Sequence, residues 1–98
     1  MYFVYMLKNS ADKLYVGITD NPKRRLQEHN TQRGATYTSR IPTFKIVFLE
    51  EYQTLFQARA REIQIKKWRR DKKEFLIERY RTGYVTQSGL DVSIEASK

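Results

Sequence analysis

The first strong pattern in the chain is a run of six apolar and aromatic residues at positions 2–7, YFVYML. The run does not alternate apolar with polar side chains, and that is the pattern of a strand covered on both of its faces. Tyrosine, phenylalanine and valine also favour an extended backbone. Residues 2–7 therefore predict a central strand, with other elements packed above and below it.

A second strand is predicted at residues 14–19, after a short stretch of turn residues. The two strands should form a hairpin with its tip at Ser10. Tyr5 would then lie directly opposite Tyr15, because antiparallel partners have position numbers with a constant sum and opposed residues share a face. This register also places Gly17 on the face of the two tyrosines.

A helix and a polar loop should follow the hairpin. Asp20 or Asn21 can cap a helix that has Pro22 at its first position, and Gly34 is a plausible stop beyond its end. The stretch 32–42 contains Gly, Thr, Ser and Arg and predicts a polar loop.

A third strand is predicted at residues 44–52, with Phe44, Ile46 and Phe48 alternating against their neighbours. After it, Thr54 has the form of a capping-box residue, which predicts a helix running to about Arg70.

A last helix is predicted after Asp71, which has the analogous acidic capping form, and it should end near Gly83. The predicted fold class is α/β (α+β), a three-stranded antiparallel sheet flanked by helices. Residues 1–83 would form the one domain, and residues 84–98, Ser-rich and weakly patterned, are expected to be a flexible tail.

Charge and residue types limit the partners and the location. The 98 residues include 19 Lys and Arg against 11 Asp and Glu, a net charge of +8, which favours nucleic acid first and an anionic membrane second. The absence of cysteine and the single histidine exclude disulfide frameworks and zinc fingers. Residues 2–7 are too short for a membrane span or a signal-peptide core. We therefore expect a cytoplasmic protein without membrane association, a monomer by default.

Five scattered residues have the chemistry that a phosphodiesterase with one metal ion needs: Tyr5, Tyr15, Arg25, His29 and Glu62. They can supply proton transfer, a cation for phosphate charge and a carboxylate for a divalent ion. Arg25 and His29 are four apart and share a helix face. Structural alternatives remain: core packing for the tyrosines, a solvated helix face for Arg25, a structural role for His29, and an exposed ion pair with Arg59 or Lys66 for Glu62.

The order and spacing of these residues resemble the GIY-YIG nuclease domain, most closely its small stand-alone bacterial members. The first triplet of the family pattern keeps only its tyrosine, and the second is close to complete. The matching residues are Tyr5, then Tyr15, Val16 and Gly17, then Arg25, His29 and Glu62. The resemblance covers roughly residues 2 to 80 and implies a GIY-YIG endonuclease-like fold.

The resemblance implies metal-dependent hydrolysis of DNA phosphodiester bonds by an endonuclease, structure-selective or weakly selective, in DNA repair or processing. Glu62 would bind one Mg²⁺ or Mn²⁺ ion, and Arg25 would stabilise the phosphate charge. Tyr15 would handle the proton, with Tyr5 as its hydrogen-bonded partner. His29 would assist.

Nucleic-acid contacts are predicted at Gly17, which would leave room for the substrate backbone, and at basic residues. A basic segment at 59–73 is dense enough for phosphate contacts, and few acidic residues are expected to relieve its charge. The predicted basic contacts are Lys23, Arg24, Arg33, Arg40, Arg59, Lys66, Arg69 and Arg70.

Two positions depart from the pattern of many active family members. Ile18 stands where a lysine or arginine often follows the second triplet, and Glu74 lies about where many members have an asparagine. These departures motivate a second hypothesis, a nucleic-acid-binding module with weak or no turnover, including one that binds RNA.

Overall fold

The computed structural model describes residues 1–34 and 43–86, which form a three-stranded antiparallel sheet and three helices. The elements are β1 (Tyr2–Asn9), β2 (Leu14–Thr19), α1 (Pro22–Gly34), β3 (Phe44–Tyr52), α2 (Leu55–Lys66) and α3 (Arg70–Arg81). The strand order is β2-β1-β3, so β1 is central, and the predicted fold class is confirmed. In the described part of the chain, no helix combines the length and the apolar character needed to cross a membrane.

Both faces of β1 are buried, as its apolar run predicts. On one face, called the α2 face, a cluster joins β1 to β3, α2 and α3, and it contains Val4, Met6, Phe48, Ala58, Ile65 and Leu76. On the other, called the α1 face, the cluster contains Tyr5, Leu7 and Phe44, with Leu26 of α1 packed against it. The sheet therefore separates α1 from α2 and α3.

The hairpin register differs from the predicted one by two positions. Tyr5 pairs with Gly17, and Tyr15 pairs with Leu7. The reason lies in the turn, where the Asn9 side chain accepts hydrogen bonds from two backbone N–H groups at 2.9 Å each and so organises a longer loop. A shift of two residues preserves the face of every side chain. The two tyrosines and Gly17 thus share the α1 face as predicted, although the tyrosines are not directly opposed.

A bulge in β3 changes which of its side chains share a face. Met6 pairs with Phe48, whereas Leu7 pairs with Ile46, so β3 has one extra residue at this point. The prediction that Phe44, Ile46 and Phe48 share one face is therefore wrong. Phe44 and Ile46 lie on the α1 face, and Phe48 lies on the α2 face, so β3 supplies a phenylalanine to each core cluster.

The predicted N-terminal caps of α1 and α2 are present. Asn21 Oδ1 accepts a hydrogen bond from the backbone N–H of Arg24 at 3.0 Å, which makes Asn21 the cap of α1. Thr54 and Gln57 form the reciprocal capping box of α2. At its other end α1 includes Gly34, so residues 32–34 are helical rather than part of the predicted polar loop. Residues 35–42 of that loop lie outside the described residues.

The junction between α2 and α3 differs from the prediction. α2 ends at Lys66 and not near Arg70, because the chain turns there and brings Trp68 against the α2-face cluster. Asp71 is not a cap, since the cap position belongs to Arg69, and Asp71 lies in the first turn of α3. Gly83 follows α3 with a φ of 88°, which is the predicted left-handed ending.

The predicted boundary between domain and tail at residue 83 stays a prediction. Residues 84–86 follow α3, and Thr86 is buried. Its carbonyl oxygen accepts a hydrogen bond from Arg61 Nη2 at 2.8 Å. Residues 87–98 of the predicted tail lie outside the described part of the chain.

Candidate functional site

Tyr5 and Gly17 face each other across β1 and β2 on the α1 face of the sheet. A Cβ atom on Gly17 would lie 2.5 Å from the Tyr5 hydroxyl oxygen and 2.7 Å from Cζ. The Tyr5 ring can lie directly over β2 at this position only because Gly17 has no side chain. The space predicted for a substrate backbone is therefore occupied by the Tyr5 ring, and Gly17 itself is buried.

Arg25 of α1 reaches the same point on the sheet. Its Nε donates a hydrogen bond to the Tyr5 hydroxyl at 3.2 Å, and its Nη1 donates one to Glu28 Oε1 at 3.2 Å. These two bonds, the one to Tyr5 first, raise the pKa of Arg25 above its ordinary value. The guanidinium is held in place, and it keeps further N–H donors for an anion because it has five in all.

Tyr15 and His29 also come together on the α1 face, around Phe44. The Tyr15 and Phe44 ring centroids are 5.3 Å apart, and those of His29 and Phe44 are 5.1 Å apart. The centroids of Tyr15 and His29 are separated by 6.5 Å. Tyr15 is half-buried, whereas Tyr5 is only 5 % exposed, so Tyr15 is the more accessible of the two tyrosines.

Two residues of α1 that support the site were not predicted. Glu28 holds Arg25, and its signal in the sequence is only a spacing of three residues on one helix. Asn30 ties α1 to β3, since its Oδ1 accepts from the backbone N–H of Phe44 at 2.7 Å and its Nδ2 donates to the Phe44 carbonyl at 3.2 Å. No local pattern in the sequence could predict the Asn30 contact, because its partner is 14 residues away.

Glu62 lies on α2, the helix that packs against the other face of the sheet. Its side chain is 9 % exposed, and Oε2 lies 3.1 Å from Nζ of Lys66. Oε1 lies 3.8 Å from Nη1 of Arg59. The ion-pair partners are those of the structural alternative, but the carboxylate is buried rather than exposed. Glu62 is thus a buried anion with two half-exposed cations beside it.

The basic residues of the predicted nucleic-acid surface are mostly paired with carboxylates. Arg24 pairs with Asp20 at 2.8 Å, Arg69 pairs with Asp71 at 2.8 Å, and Arg59 and Lys66 both pair with Glu62. The expectation that few acidic residues relieve the charge at 59–73 is therefore wrong. The paired cations still keep 45 to 84 % of their side-chain surface exposed.

The remaining predicted contacts differ in exposure. Arg70 pairs with Glu74 at 2.7 Å and with Asp12 at 3.3 Å. Lys23 is exposed on α1 and forms no ion pair within the described residues. Arg40 lies outside those residues, and so does the side chain of Arg33.

Glu74 connects α3 to the hairpin. It accepts hydrogen bonds from Arg70 Nε at 2.7 Å and from Lys8 Nζ at 3.2 Å. Burial favours its neutral form, but the hydrogen bonds from Arg70 and Lys8 together outweigh this effect and lower the pKa of Glu74. The carboxylate at this position therefore has a structural role in holding α3 against β1.

A buried network removes Arg61 from the predicted basic surface. Arg61 donates to both carboxylate oxygens of Glu50, at 2.9 and 3.1 Å, and the Tyr52 hydroxyl donates to Glu50 at 2.8 Å. Burial first, and then the charge of Glu50, raises the pKa of Tyr52. Arg61 joins α2 to β3 and is inaccessible to a phosphate.

Comparison with known proteins gives a consistent set of relatives. The GIY-YIG catalytic domain matches residues 1–74. A UPF0213 protein of Haloquadratum walsbyi is 38 % identical over 77 residues, which cover 79 % of this chain and 86 % of that protein. A UPF0213 protein of Clostridium perfringens is 39 % identical, with 79 % and 83 % covered. The solution NMR structure of a UPF0213 protein from Bacillus halodurans has a TM-score of 0.52 and 30 % identity, and the match covers 80 % of this chain and 84 % of that one.

Proposed function

Since the chain belongs to the GIY-YIG catalytic domain family, a family of nuclease type, we propose that it is a divalent-metal-dependent endonuclease that hydrolyses DNA phosphodiester bonds. The observation that carries the proposal is the arrangement of Tyr5, Gly17 and Arg25, in which a hydrogen bond to Tyr5 and an ion pair with Glu28 position a charged guanidinium. An arginine held in this way is suited to bind two oxygens of one phosphate.

The proposed active site lies along the open edge of β2. β2 is an edge strand of the described sheet, so the α1 face and the α2 face meet at its outer side. We place the scissile phosphate at this edge, with Arg25 and Tyr15 on one face of the sheet and Glu62 on the other, so that residues from both faces would serve one reaction.

Within that site Arg25 would stabilise the extra negative charge that the phosphate acquires in the transition state. Tyr15 would take the proton from the attacking water, because it is the more accessible tyrosine and lies beside His29. Tyr5, which is buried and bonded to Arg25, would act as a positioning residue. His29 would assist through its contacts with Tyr15 and Phe44.

The donor set fits a magnesium or manganese ion bound together with the substrate. Within residues 1–34 and 43–86, no three His, Cys, Asp or Glu residues cluster as a metal site, and the protein ligand that the resemblance implies is Glu62. Mg²⁺ commonly uses one or two carboxylates and takes its other oxygens from water and substrate phosphate. Such an ion would supply a positive charge to the scissile phosphate and its leaving oxygen. Lys66 would have to release Glu62 for this to occur.

We propose a role in DNA repair or processing, with cleavage selected by DNA structure. The exposed cations are suited to backbone phosphates, and phosphate contacts position a protein on nucleic acid without reading its sequence. A cytoplasmic location and a monomeric state belong to the same proposal.

A second candidate function is a nucleic-acid-binding module with weak turnover. It is favoured by the pairing of Glu62 with Lys66 and Arg59, since both cations compete with a divalent ion for the carboxylate. Structured RNA is the alternative ligand for such a module. Binding measured against salt concentration on duplex DNA and on structured RNA distinguishes the two substrates.

Nicking of supercoiled plasmid in the presence of Mg²⁺ tests the endonuclease. Glu62→Gln and Arg25→Lys should each reduce the nicking rate on the order of 100-fold or more, since the first removes the carboxylate for the metal ion and the second removes the guanidinium that binds two phosphate oxygens at once. The matched control is Glu78→Gln, which removes an exposed carboxylate paired with Arg81 on α3, and it should nick like the wild type. Equal nicking by wild type and Glu62→Gln would refute the catalytic proposal in favour of the binding module.

A further inference from the structure

One side of α2 combines exposed apolar side chains with cations. Phe56 is 81 % exposed and Ile63 is 47 % exposed, and the two are seven residues apart, so they lie on the same side two turns from each other. Three cations lie within three or four positions of them along the helix. We call these residues the α2 stripe, which comprises Phe56, Arg59, Ile63, Lys66 and Lys67.

The α2 stripe borders the carboxylate of Glu62. Its Arg59 lies 3.8 Å from Glu62 Oε1, and its Lys66 lies 3.1 Å from Glu62 Oε2. Glu62 is the one carboxylate of α2, and it is buried. The exposed side of the helix is therefore apolar and positively charged, without an exposed anion.

This composition fits nucleic acid better than protein. An aromatic ring stacks on the face of any base, and cations beside it bind the phosphates on either side. Three cations around Phe56 do not suit an apolar protein partner, and the phenylalanine does not stand alone, because Ile63 is exposed on the same side of the helix. The chain as a whole carries a net charge of +8, which favours a polyanion.

We propose that the α2 stripe binds unpaired nucleotides next to the scissile phosphodiester, with Phe56 stacked on a base. This proposal rests on the proposed nuclease function and specifies its substrate class, DNA in which a duplex adjoins a single strand. The bases of an intact duplex present no free face, whereas those of a flap, gap or fork do. Phe56 and Ile63 are about 10 Å apart along the helix.

Fluorescence anisotropy on three labelled DNA probes tests the proposal: an intact duplex, a duplex with a single-stranded flap, and a single strand. Phe56→Ala should weaken binding to the flap and to the single strand about tenfold, the usual effect of losing one stacked aromatic ring. Its affinity for the duplex should stay within about twofold of wild type. Phe56→Leu keeps an apolar side chain without the ring and should behave like Phe56→Ala. Phe56→Trp keeps an aromatic ring and should retain the wild-type affinity for the flap and the single strand.

The matched control is Phe75→Ala, because Phe75 is 64 % exposed on α3, outside the α2 stripe. It should bind all three probes like the wild type. The proposal is overturned if Phe56→Ala binds the flap normally, if it loses affinity equally on all three probes, or if Phe75→Ala has the same effect. Thermal unfolding of each variant shows whether a loss of affinity comes from loss of folding. If Phe56→Ala does not fold, the binding of Phe56→Leu and Phe56→Trp decides the outcome.

The failure of this proposal is distinguishable from failure of the nuclease function. Glu62→Gln should lose nicking while it keeps the preference for the flap, because stacking does not depend on the carboxylate. Normal nicking by Glu62→Gln together with weak flap binding by Phe56→Ala would refute the nuclease and leave the α2 stripe as a binding site. Loss of nicking in Glu62→Gln together with normal flap binding by Phe56→Ala would support the nuclease and refute the α2 stripe as a binding site.

Discussion

The ring of Tyr5 lies across Gly17, so close that a Cβ atom on the glycine would be 2.5 Å from the tyrosine hydroxyl oxygen. The same hydroxyl accepts a hydrogen bond from Arg25 at 3.2 Å. The absence of a side chain at position 17 is therefore a condition for the placement of Arg25. Tyrosine, glycine and arginine act as one unit, although they belong to three different elements.

Gly17→Ala should displace the Tyr5 ring, break its bond to Arg25 and lower the nicking rate at least tenfold. It should also destabilise the fold by about 1–3 kcal/mol, as overpacking of a buried contact does. In the background of Tyr5→Ala the same change should cost little, because alanine is otherwise acceptable in a strand. Urea unfolding of the four proteins measures this coupling. If Gly17→Ala lowers the free energy of unfolding equally in both backgrounds, contact with Tyr5 is not what requires a glycine at position 17.

Tyr15→Phe should lower the single-turnover cleavage rate on the order of 100-fold, because it removes the proposed proton acceptor. Tyr5→Phe should lower it only about tenfold, since it removes one hydrogen bond that positions Arg25. Rates measured at saturating DNA separate these effects from binding. A larger loss of cleavage rate in Tyr5→Phe than in Tyr15→Phe would identify Tyr5 as the proton acceptor.

Lys66→Ala should tighten the binding of Mn²⁺ to the DNA-free protein. The lysine pairs with Glu62 at 3.1 Å and is 55 % exposed, so its removal leaves one cation fewer to compete for the carboxylate. We expect a roughly two- to fivefold lower dissociation constant, the effect of removing a single ion pair whose cation is half-exposed. Free Mn²⁺ can be followed by electron paramagnetic resonance.

The control for this experiment is Lys67→Ala, which changes the neighbouring lysine. Lys67 is exposed and forms no ion pair in the part of the chain that the structure describes, so the affinity for Mn²⁺ should not change. Weaker binding in Lys66→Ala would mean that Lys66 holds Glu62 in the geometry that the ion needs.

Arg61→Met should destabilise the fold by about 3–5 kcal/mol, because it leaves the Glu50 carboxylate buried without its cation. The two side chains are only 5 % and 1 % exposed. Arg59→Met changes the same residue type on the same helix where it is 56 % exposed, and it should cost less than about 1 kcal/mol. Urea unfolding at neutral pH measures both. Similar losses in the two variants would contradict a structural role for the Glu50 pair.

Tyr52→Phe should show how stability depends on alkaline pH. Burial and then the charge of Glu50 raise the pKa of Tyr52 above its ordinary value of 10.0. The folded protein therefore keeps the phenolic proton at pH values where the unfolded chain loses it. This contribution to stability is complete below the unfolded pKa and declines as the pH rises above it.

The stability of the wild type relative to Tyr52→Phe should accordingly be larger at about pH 8 than at about pH 11. Urea unfolding curves of both proteins at the two pH values provide the comparison. A difference that stays constant between them would show that the ionisation of Tyr52 is not linked to folding.

The local patterns of the sequence predicted the elements and the sheet face on which Tyr5, Tyr15 and Gly17 lie. The unbroken apolar run of β1 required cover on both faces, and the caps at Asn21 and Thr54 depend only on residues three positions away. Side chains alternate with a period of two in a strand. Tyr5, Tyr15 and Gly17 therefore share a face even though the register differs by two positions.

Contacts between distant residues were not predictable from these patterns. The Asn9 side chain decides the hairpin register, and a bulge in β3 decides which phenylalanine enters which cluster. Several ion pairs at 59–73 join near neighbours on one helix, but a helix pattern does not show a carboxylate that comes from another element. Arg61 is the clearest example, since its partner Glu50 belongs to another element.

The sequence by itself determined which residue types are available and on which face of each element they lie, because these depend on backbone periodicity and capping between near neighbours. Only the tertiary structure decided that Tyr5 occupies the space above Gly17, that Arg25 is held there, and that Glu62 is buried on the opposite side of the sheet. These relationships arise from packing and hydrogen bonding between elements, and neither leaves a periodic signal in the chain.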